Sequence, residues 1–217
     1  MLEDAIKWNE RYKQGFMPSE PSAFVIKACD VLKNIFSIKA DSGHLDSKKH
    51  PQNTRLKALD IACGNGRHSK ILASLGFCVE SVDISQVALE NLSHIPHITP
   101  ICADLDTFSI TQKYDVILNS FFLDRRQFTP MINALNPNGI VLFETFIDKD
   151  SHSIKHDKAL YMGELEQVFS PHNHFEILHF HIYENTRAES AYRHIIQLIA
   201  QYKPKVESNP IRNAYDL

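Results

Sequence analysis

Leu56-Lys57-Ala58-Leu59-Asp60-Ile61-Ala62-Cys63-Gly64-Asn65-Gly66 reads as a short apolar strand with a carboxylate, Asp60, at its end, running into a turn that holds Gly64 and Gly66. Glycine adopts positive φ without a Cβ clash and lets another group approach the backbone closely. Arg67-His68-Ser69 then opens a helix, whose first N–H groups lack partners within the helix and face whatever anionic group lies in front of them. A strand, a tight glycine turn and a helix N-terminus in succession make a nucleotide-cofactor junction.

On its carboxyl side, β-branched or apolar runs alternate with helical segments: strands over 56–62, 77–82, 97–102, 114–119 and 140–147, with helices from Arg67, from Ser85 and from Thr129. Pro130 falls in the first turn of the last of these, where its missing N–H costs nothing. Such alternation implies parallel strands joined by crossover helices. A short helix around Glu164 to Phe169 and strands over 174–183 and 192–201 complete an α/β, doubly wound, mostly parallel sheet of seven strands.

On the amino side, Leu2 to Gln14 has helical spacing, with Ile6 and Trp8 its main apolar members and Gly15 at the C-cap position. Pro18-Ser19-Glu20-Pro21 interrupts it. A second helix from Ser22 places Phe24, Ala28, Val31, Leu32 and Ile35 on one stripe. The chain therefore divides into N-terminal helices (1–36), a polar connector (37–55), a cofactor-binding core (56–147) and a substrate-side part (148–217), all within one domain.

With 217 residues the chain can bury a sizeable core, and its net charge of −3 supplies no overall field to attract nucleic acid. Met1-Leu2-Glu3-Asp4 is unlike the basic start of a signal peptide, and no stretch has the roughly 20 apolar residues that span a bilayer. Cys29, Cys63, Cys78 and Cys102 are scattered without a Cys-x-x-Cys pair. A cytoplasmic setting is expected, with neither a membrane nor nucleic acid as partner.

Asp60 discriminates between cofactors. A carboxylate at the strand end repels a pyrophosphate but holds the ammonium of a methionine-derived cofactor. The dinucleotide fingerprint also requires a third glycine where this chain has Ser69. In Glu80-Ser81-Val82-Asp83-Ile84-Ser85 an acid ends the second strand about 20 residues past the glycines, placed to accept ribose hydroxyls. Asp83 suits NAD as well as other nucleosides, and Asp83 or Ser85 could instead cap the next helix. Asp104, past the third strand, can accept from an adenine amino group, and Asn119 ends the fourth strand beside the switch-point crevice where ligands bind in open α/β sheets.

Asp-x-Ala-Cys-Gly-x-Gly, Val-Asp-Ile-Ser, Ala-Asp-Leu and Tyr-Asp-Val-x-x-Asn occur in the order and spacing of class I S-adenosylmethionine-dependent methyltransferases, over residues 56–147. Trp8-Asn9-Glu10-Arg11-Tyr12, Pro18-Ser19-Glu20-Pro21, Gly64-Asn65-Gly66-Arg67, Leu142-Phe143-Glu144-Thr145-Phe146 and Gly163-Glu164-Leu165 resemble the tellurite-resistance methyltransferases, and more distantly the thiopurine methyltransferases. The resemblance implies a Rossmann-like class I fold with an antiparallel last strand and S-adenosylmethionine as cofactor. It implies that Asp60 and Gly64 hold the methionine end, and Gly66 and Arg67 at the helix start are also expected to bind the cofactor. Asp83, with Ile84 beside it, would serve the ribose, and Asp104 with Leu105 the adenine. Trp8, Arg11 and Tyr12 would lie on an N-terminal helix folding over the site, and Asn119 is counted with the cofactor-binding residues. The chain departs from the family in a longer connector over 37–55 and in His68 at the third glycine position.

Asn119-Ser120-Phe121-Phe122 is not the Asn-Pro-Pro-Tyr signature of amino methyltransferases acting on DNA bases or glutamine, which points to a small-molecule acceptor. A thiol or a selenium or tellurium oxyanion needs little general-base help. Arg187 and Arg193 could anchor an anionic acceptor, the alternative being a solvated turn. The twelve histidines include the pairs His172/His174 and His179/His181, but no spacing characteristic of a metal site, so no metal is expected. An NAD-linked oxidoreductase and a non-catalytic S-adenosylmethionine-binding protein remain the alternatives, and oligomeric state is open.

Overall fold

The computed structural model describes residues 2–15, 18–38, 55–149, 158–186 and 192–204. Its elements are α1 (Leu2–Lys13), α2 (Ala23–Phe36), β1 (Lys57–Ile61), α3 (Arg67–Ser74), β2 (Cys78–Asp83), α4 (Gln86–Leu89), β3 (Ile98–Cys102), β4 (Tyr114–Ser120), α5 (Phe128–Asn133), β5 (Leu135–Asp148), β6 (Leu160–Tyr161), α6 (Glu164–Val168), β7 (Phe175–Glu184) and β8 (His194–Tyr202). The strands form one sheet in the order β3-β2-β1-β4-β5-β8-β7, with β6 paired to β5. Pairing is parallel from β3 through β5, and β8 runs antiparallel to both of its neighbours.

The strand order reverses between β1 and β4, which opens the crevice at their carboxyl ends. Helices α2 and α3 contribute Phe24, Val25, Leu32 and Leu72 to one core, against Ala58, Val116, Leu118 and Leu142 of the sheet. On the opposite face Met131 of α5 and Leu165 of α6 pack with Leu59, Ile61, Ile117 and Phe143. Strands β1 and β4 are buried on both faces, so their sequences are nearly continuously apolar rather than alternating. Each fully buried Leu, Val or Phe here contributes about 1.5–3 kcal/mol of burial free energy.

Ser22 caps α2, its hydroxyl accepting from the Val25 N–H, and the helix ends at Ser37 in the left-handed conformation. Helix α1 behaves differently. None of its residues is buried, and Ile6, an apolar member of the sequence pattern, is 55% exposed.

Three elements differ from the sequence reading. Helix α4 is a single turn, because Leu92 and Ile95 donate back three residues and convert the following segment into successive turns. Strand β5 starts at Leu135 rather than 140: Tyr114 pairs with Leu135 and Val116 with Ile140, so Asn136-Pro137-Asn138-Gly139 is a bulge within the strand. An eighth strand, the two-residue β6, joins the end of β5. His172 lies in the 3-10 turn Pro171–Asn173 and His174 in a left-handed cap, so these two do not share a strand face, whereas His179 and His181 do. Residues 39–54 of the connector lie outside the described residues.

Candidate active site

Strand β1 ends in three left-handed residues, Ala62 (φ 53°), Gly64 (φ 58°) and Gly66 (φ 68°), and the turn they form is sewn to β2 by the Cys63 N–H donating to the Val82 carbonyl at 3.0 Å. A Cβ on Gly64 would strike the hydroxyl of Tyr12, and one on Gly66 would strike Leu92. The first glycine therefore admits α1 to the turn, and the second admits the packing of the α4 segment against α3.

Asp83 ends β2 beneath that turn. Its Oδ2 accepts the Gly64 N–H and its Oδ1 the Ser85 N–H, each at 2.8 Å. The helix cap is Ser85, whose Oγ accepts from Ala88, so Asp83 is not the cap. Burial raises the Asp83 pKa, partly opposed by its backbone donors. A carboxylate oxygen accepts more than one bond, so both oxygens can still receive ribose hydroxyls. Ile84 follows, its carbonyl accepting from the Cys102 thiol.

Asp60 is 1% exposed, and its Oδ2 accepts the Ser69 hydroxyl at 2.6 Å, which in turn accepts from Ser81 at 2.8 Å. Burial pushes its pKa up to about 7, with the Asp83 charge adding and the Ser69 bond opposing. The scaffold thus holds a carboxyl poised between neutral and charged, one that a nearby cation would ionise.

Helix α1 lies across this arrangement. Asn9 Oδ1 accepts from the Ser85 hydroxyl at 2.7 Å and from the Val87 N–H at 3.2 Å, docking α1 on the start of α4. Trp8 and Tyr12 are half-buried with ring centres 6.2 Å apart, and the Arg11 guanidinium lies 5.1 Å from the Trp8 ring. Burial raises the Tyr12 pKa, with the Asp83 charge adding, so its hydroxyl stays protonated over the glycine turn.

Arg67 is buried, its Nη1 donating to the Glu20 carbonyl at 3.3 Å, while His68 Nε2 accepts the Ser22 N–H at 3.2 Å. Burial and the neighbouring Arg67 lower the His68 pKa to about 3, so the imidazole is neutral. Position 68 therefore carries a latch to the start of α2 in place of a glycine. Asp104 accepts the Asp106 N–H through Oδ1, and Leu105 is buried with its carbonyl held by Gln127 at 2.9 Å.

Asn119, buried at the end of β4, has an Oδ1 with no hydrogen-bond partner among the described residues. The structure thus brings Tyr12, Asp60, Gly64, Gly66, Arg67, Asp83 and Ile84 together around one turn, with Asp104, Leu105 and Asn119 at the ends of the adjacent strands. Arg193 is exposed and contributes its carbonyl to the Asn185 N–H, and Arg187 lies outside the described residues. No group of three or more His, Cys, Asp or Glu that could hold a metal is found among the described residues.

Two further residues read as ordinary positions in the sequence, although each stands within a motif quoted above. Asn9 reads as an ordinary polar position of an amphipathic helix, although it stands within the aromatic N-terminal motif. Glu144 reads as an isolated charge in an apolar strand, yet it is buried, and its Oε1 accepts from Gln197 Nε2 at 2.7 Å.

A family model described as tellurite resistance protein TehB matches residues 26–151. TehB from Haemophilus influenzae superposes with a TM-score of 0.64 at 18% identity, over 90% of this chain and 67% of that one. The Burkholderia thailandensis 1,6-didemethyltoxoflavin-N1-methyltransferase, solved with 1,6-didemethyltoxoflavin and S-adenosylhomocysteine, gives 0.61 at 13% identity over 93% and 87% of the two chains. The N-methyltransferase NodS from Bradyrhizobium japonicum WM9 gives 0.54 at 16% identity over 83% and 97%. No curated protein matches the chain.

Proposed function

The chain belongs to the TehB family of tellurite resistance proteins and is an S-adenosylmethionine-dependent methyltransferase, and from that premise we propose that it methylates a small soft nucleophile, a class that takes in thiols and selenium or tellurium oxyanions. The observation that carries this reading is the cradle at the glycine turn. Gly64 is bound from below by Asp83 and covered from above by Tyr12, so closely that a side chain at position 64 would collide with the Tyr12 hydroxyl.

In this reading Asp83 holds the ribose hydroxyls, with Ile84 beside the nucleoside, and Asp104 and Leu105 border the adenine. Asp60, Gly64, Gly66 and Arg67 serve the methionine end, where the cation ionises Asp60. Trp8, Arg11 and Tyr12 close over it on α1, a lid held by the polar contacts of Asn9 rather than by buried apolar surface. The orphaned Asn119 Oδ1 offers an acceptor at the crevice. Bound S-adenosylmethionine supplies a methyl group already activated on a sulfonium, so the chain's own residues need only align the acceptor and exclude water. Arg187 and Arg193 would anchor an acceptor that carries negative charge. No described helix is long and apolar enough to cross a membrane, and the four free cysteines fit a reducing compartment, so the proposal places the reaction in the cytoplasm.

Separate titrations with S-adenosylhomocysteine and NAD, followed by methyl transfer from labelled S-adenosylmethionine to thiols, selenite and tellurite, test this reading. Binding of S-adenosylhomocysteine with labelled product supports it. Binding of NAD alone, or cofactor binding without any product, overturns it.

A further inference from the structure

Outside the cofactor cradle, two unusual features meet where β4 stops. The first is in the backbone. Phe121, the residue after β4, has φ 58°, a left-handed conformation that a bulky side chain avoids, and its N–H is held there by the Glu144 carbonyl at 2.7 Å. The second is a group of rings. The centres of Phe121 and Phe146 lie 5.2 Å apart, and Phe146 stacks on Tyr192 at 5.0 Å with 24° between the planes. All three side chains are only partly buried, so each keeps surface that a small molecule can touch.

Strand register places these rings. Asn119, two residues before Phe121, pairs with Ile61 at the end of β1, from which the chain enters the glycine turn. The end of β4 therefore stands one strand spacing, about 5 Å, from the end of β1. Strand β5 runs on past β4: their last pair is Ser120 with Glu144, and β6 joins β5 only from Ile147. Phe146 falls in that interval. From the other edge, β8 pairs His194 with Ile147, which brings Tyr192, two residues earlier, to the same end of the sheet. In the strand order β3-β2-β1-β4-β5, Asp83 ends β2 and Asp104 follows β3, whereas the rings gather at the ends of β4 and β5. The glycine turn lies between the two groups, so the side of the crevice left for an acceptor is the aromatic one.

We propose that Phe121, Phe146 and Tyr192 form the acceptor wall of this enzyme, and that their rings favour a polarisable chalcogen, sulfur, selenium or tellurium, as the atom that receives the methyl group. The inference rests on the methyltransferase reading and names what makes its acceptor site suit a soft nucleophile. Contact with an aromatic ring favours a sulfur atom by an amount equivalent to about 2–10-fold in affinity, and the heavier chalcogens are more polarisable still. An amine or hydroxyl placed against the same wall gives up hydration without a hydrogen bond in return. Thiols and the selenium and tellurium oxyanions all present a chalcogen with a lone pair. That lone pair forms the bond to the methyl carbon, while the carbon–sulfur bond of the sulfonium breaks with its electron pair remaining on sulfur. An acceptor that still carries a proton releases it to water.

The test uses the full chain with labelled S-adenosylmethionine and four acceptors: an alkyl thiol, selenite, tellurite and a heteroaromatic amine. Diethyl sulfide and diethyl ether serve as competing ligands of similar shape. The wild type should methylate at least one chalcogen acceptor faster than the amine, and the sulfide should inhibit more tightly than the ether. Phe146→Leu keeps an apolar side chain but removes the ring. It should lower kcat/KM for the chalcogen acceptors about 2–10-fold, mostly through KM, and shrink the preference for sulfide over ether by a similar factor, with S-adenosylhomocysteine bound as before. Phe146→Tyr, which restores a ring, should recover both. If Phe146→Leu does not fold, as judged by loss of S-adenosylhomocysteine binding, Tyr192→Leu takes its place with the same expectations. An unchanged sulfide preference in the variant that folds, or methylation of the amine ahead of every chalcogen acceptor, overturns the assignment but leaves the methyltransferase reading intact. A wild type that methylates nothing overturns both.

Discussion

Asp83 Oδ2 accepts the Gly64 N–H at 2.8 Å, so the acid at the end of β2 and the glycine at the end of β1 form one rigid unit before any nucleoside arrives. The carboxylate proposed to receive the ribose also fixes the turn proposed to receive the methionine end. Preorganisation of this kind lowers the ordering cost of binding.

Replacing Asp83 with Ala removes both the charged acceptor and the brace on Gly64. Affinity for S-adenosylhomocysteine should fall by about 1–3 kcal/mol by calorimetry, and the apo protein should melt at a lower temperature. Unchanged affinity would assign Asp83 to bracing the turn alone.

The raised pKa of Asp60 has a definite sign in stability. Its carboxyl titrates at about 7 in the folded chain and near 3.9 when unfolded, so the folded state binds the proton more tightly. The associated stability is fully present below about pH 4 and is lost as pH rises through about 7, a change on the order of 4 kcal/mol. Melting curves from pH 4 to 8 should show this loss in the wild type and a flatter profile in Asp60→Asn. A bound cation reverses the preference, so cofactor affinity should rise with pH across the same window, with proton release visible as buffer-dependent heats. Parallel profiles for the two proteins would place the titrating group elsewhere.

Gly64→Ala puts a Cβ against the Tyr12 hydroxyl in a backbone conformation that alanine avoids. The expected outcome is about 1–2 kcal/mol of strain, displaced α1 and weakened cofactor binding. Pairing it with Tyr12→Ala separates the two causes: relief of the clash should restore part of the affinity, and no recovery would leave backbone strain as the whole effect.

Asn9→Ala deletes two hydrogen bonds that dock a helix with no buried residue. About 1–2 kcal/mol of local docking should be lost, with little change in global melting temperature. Hydrogen exchange should rise in α1 while β1 and β4 stay protected, and S-adenosylhomocysteine should suppress exchange in the wild type. Equal exchange in variant and wild type would mean that α1 is held by other contacts.

Much of the fold was legible because its signals are local. The run from Leu56 to Gly66 carries its strand, turn and helix start in consecutive residues, and Ser22 marks the start of α2. The misread elements depend on distant partners. The bulge at Asn136 to Gly139 exists because β4 supplies the pairing that draws those residues into β5, and β6 exists because Ile147 and Asp148 are there to receive it. Asp83 showed as an acid at a strand end, but whether it or Ser85 capped α4 was settled by which oxygen lies at the Ala88 N–H.

By itself the sequence determined the order of strands and helices, the glycine turn, and the acids at the strand ends, because apolar periodicity and backbone freedom act over a few residues. Only the tertiary structure decided that Asn9 reaches Ser85 across 76 residues of chain, that Tyr12 covers Gly64, and that Glu144 is buried with one carboxylate oxygen unpartnered among the described residues. The face on which a strand residue emerges, and what it meets there, follow from the register of neighbouring strands and the docking of helices, and these are set by burial summed over the whole sheet.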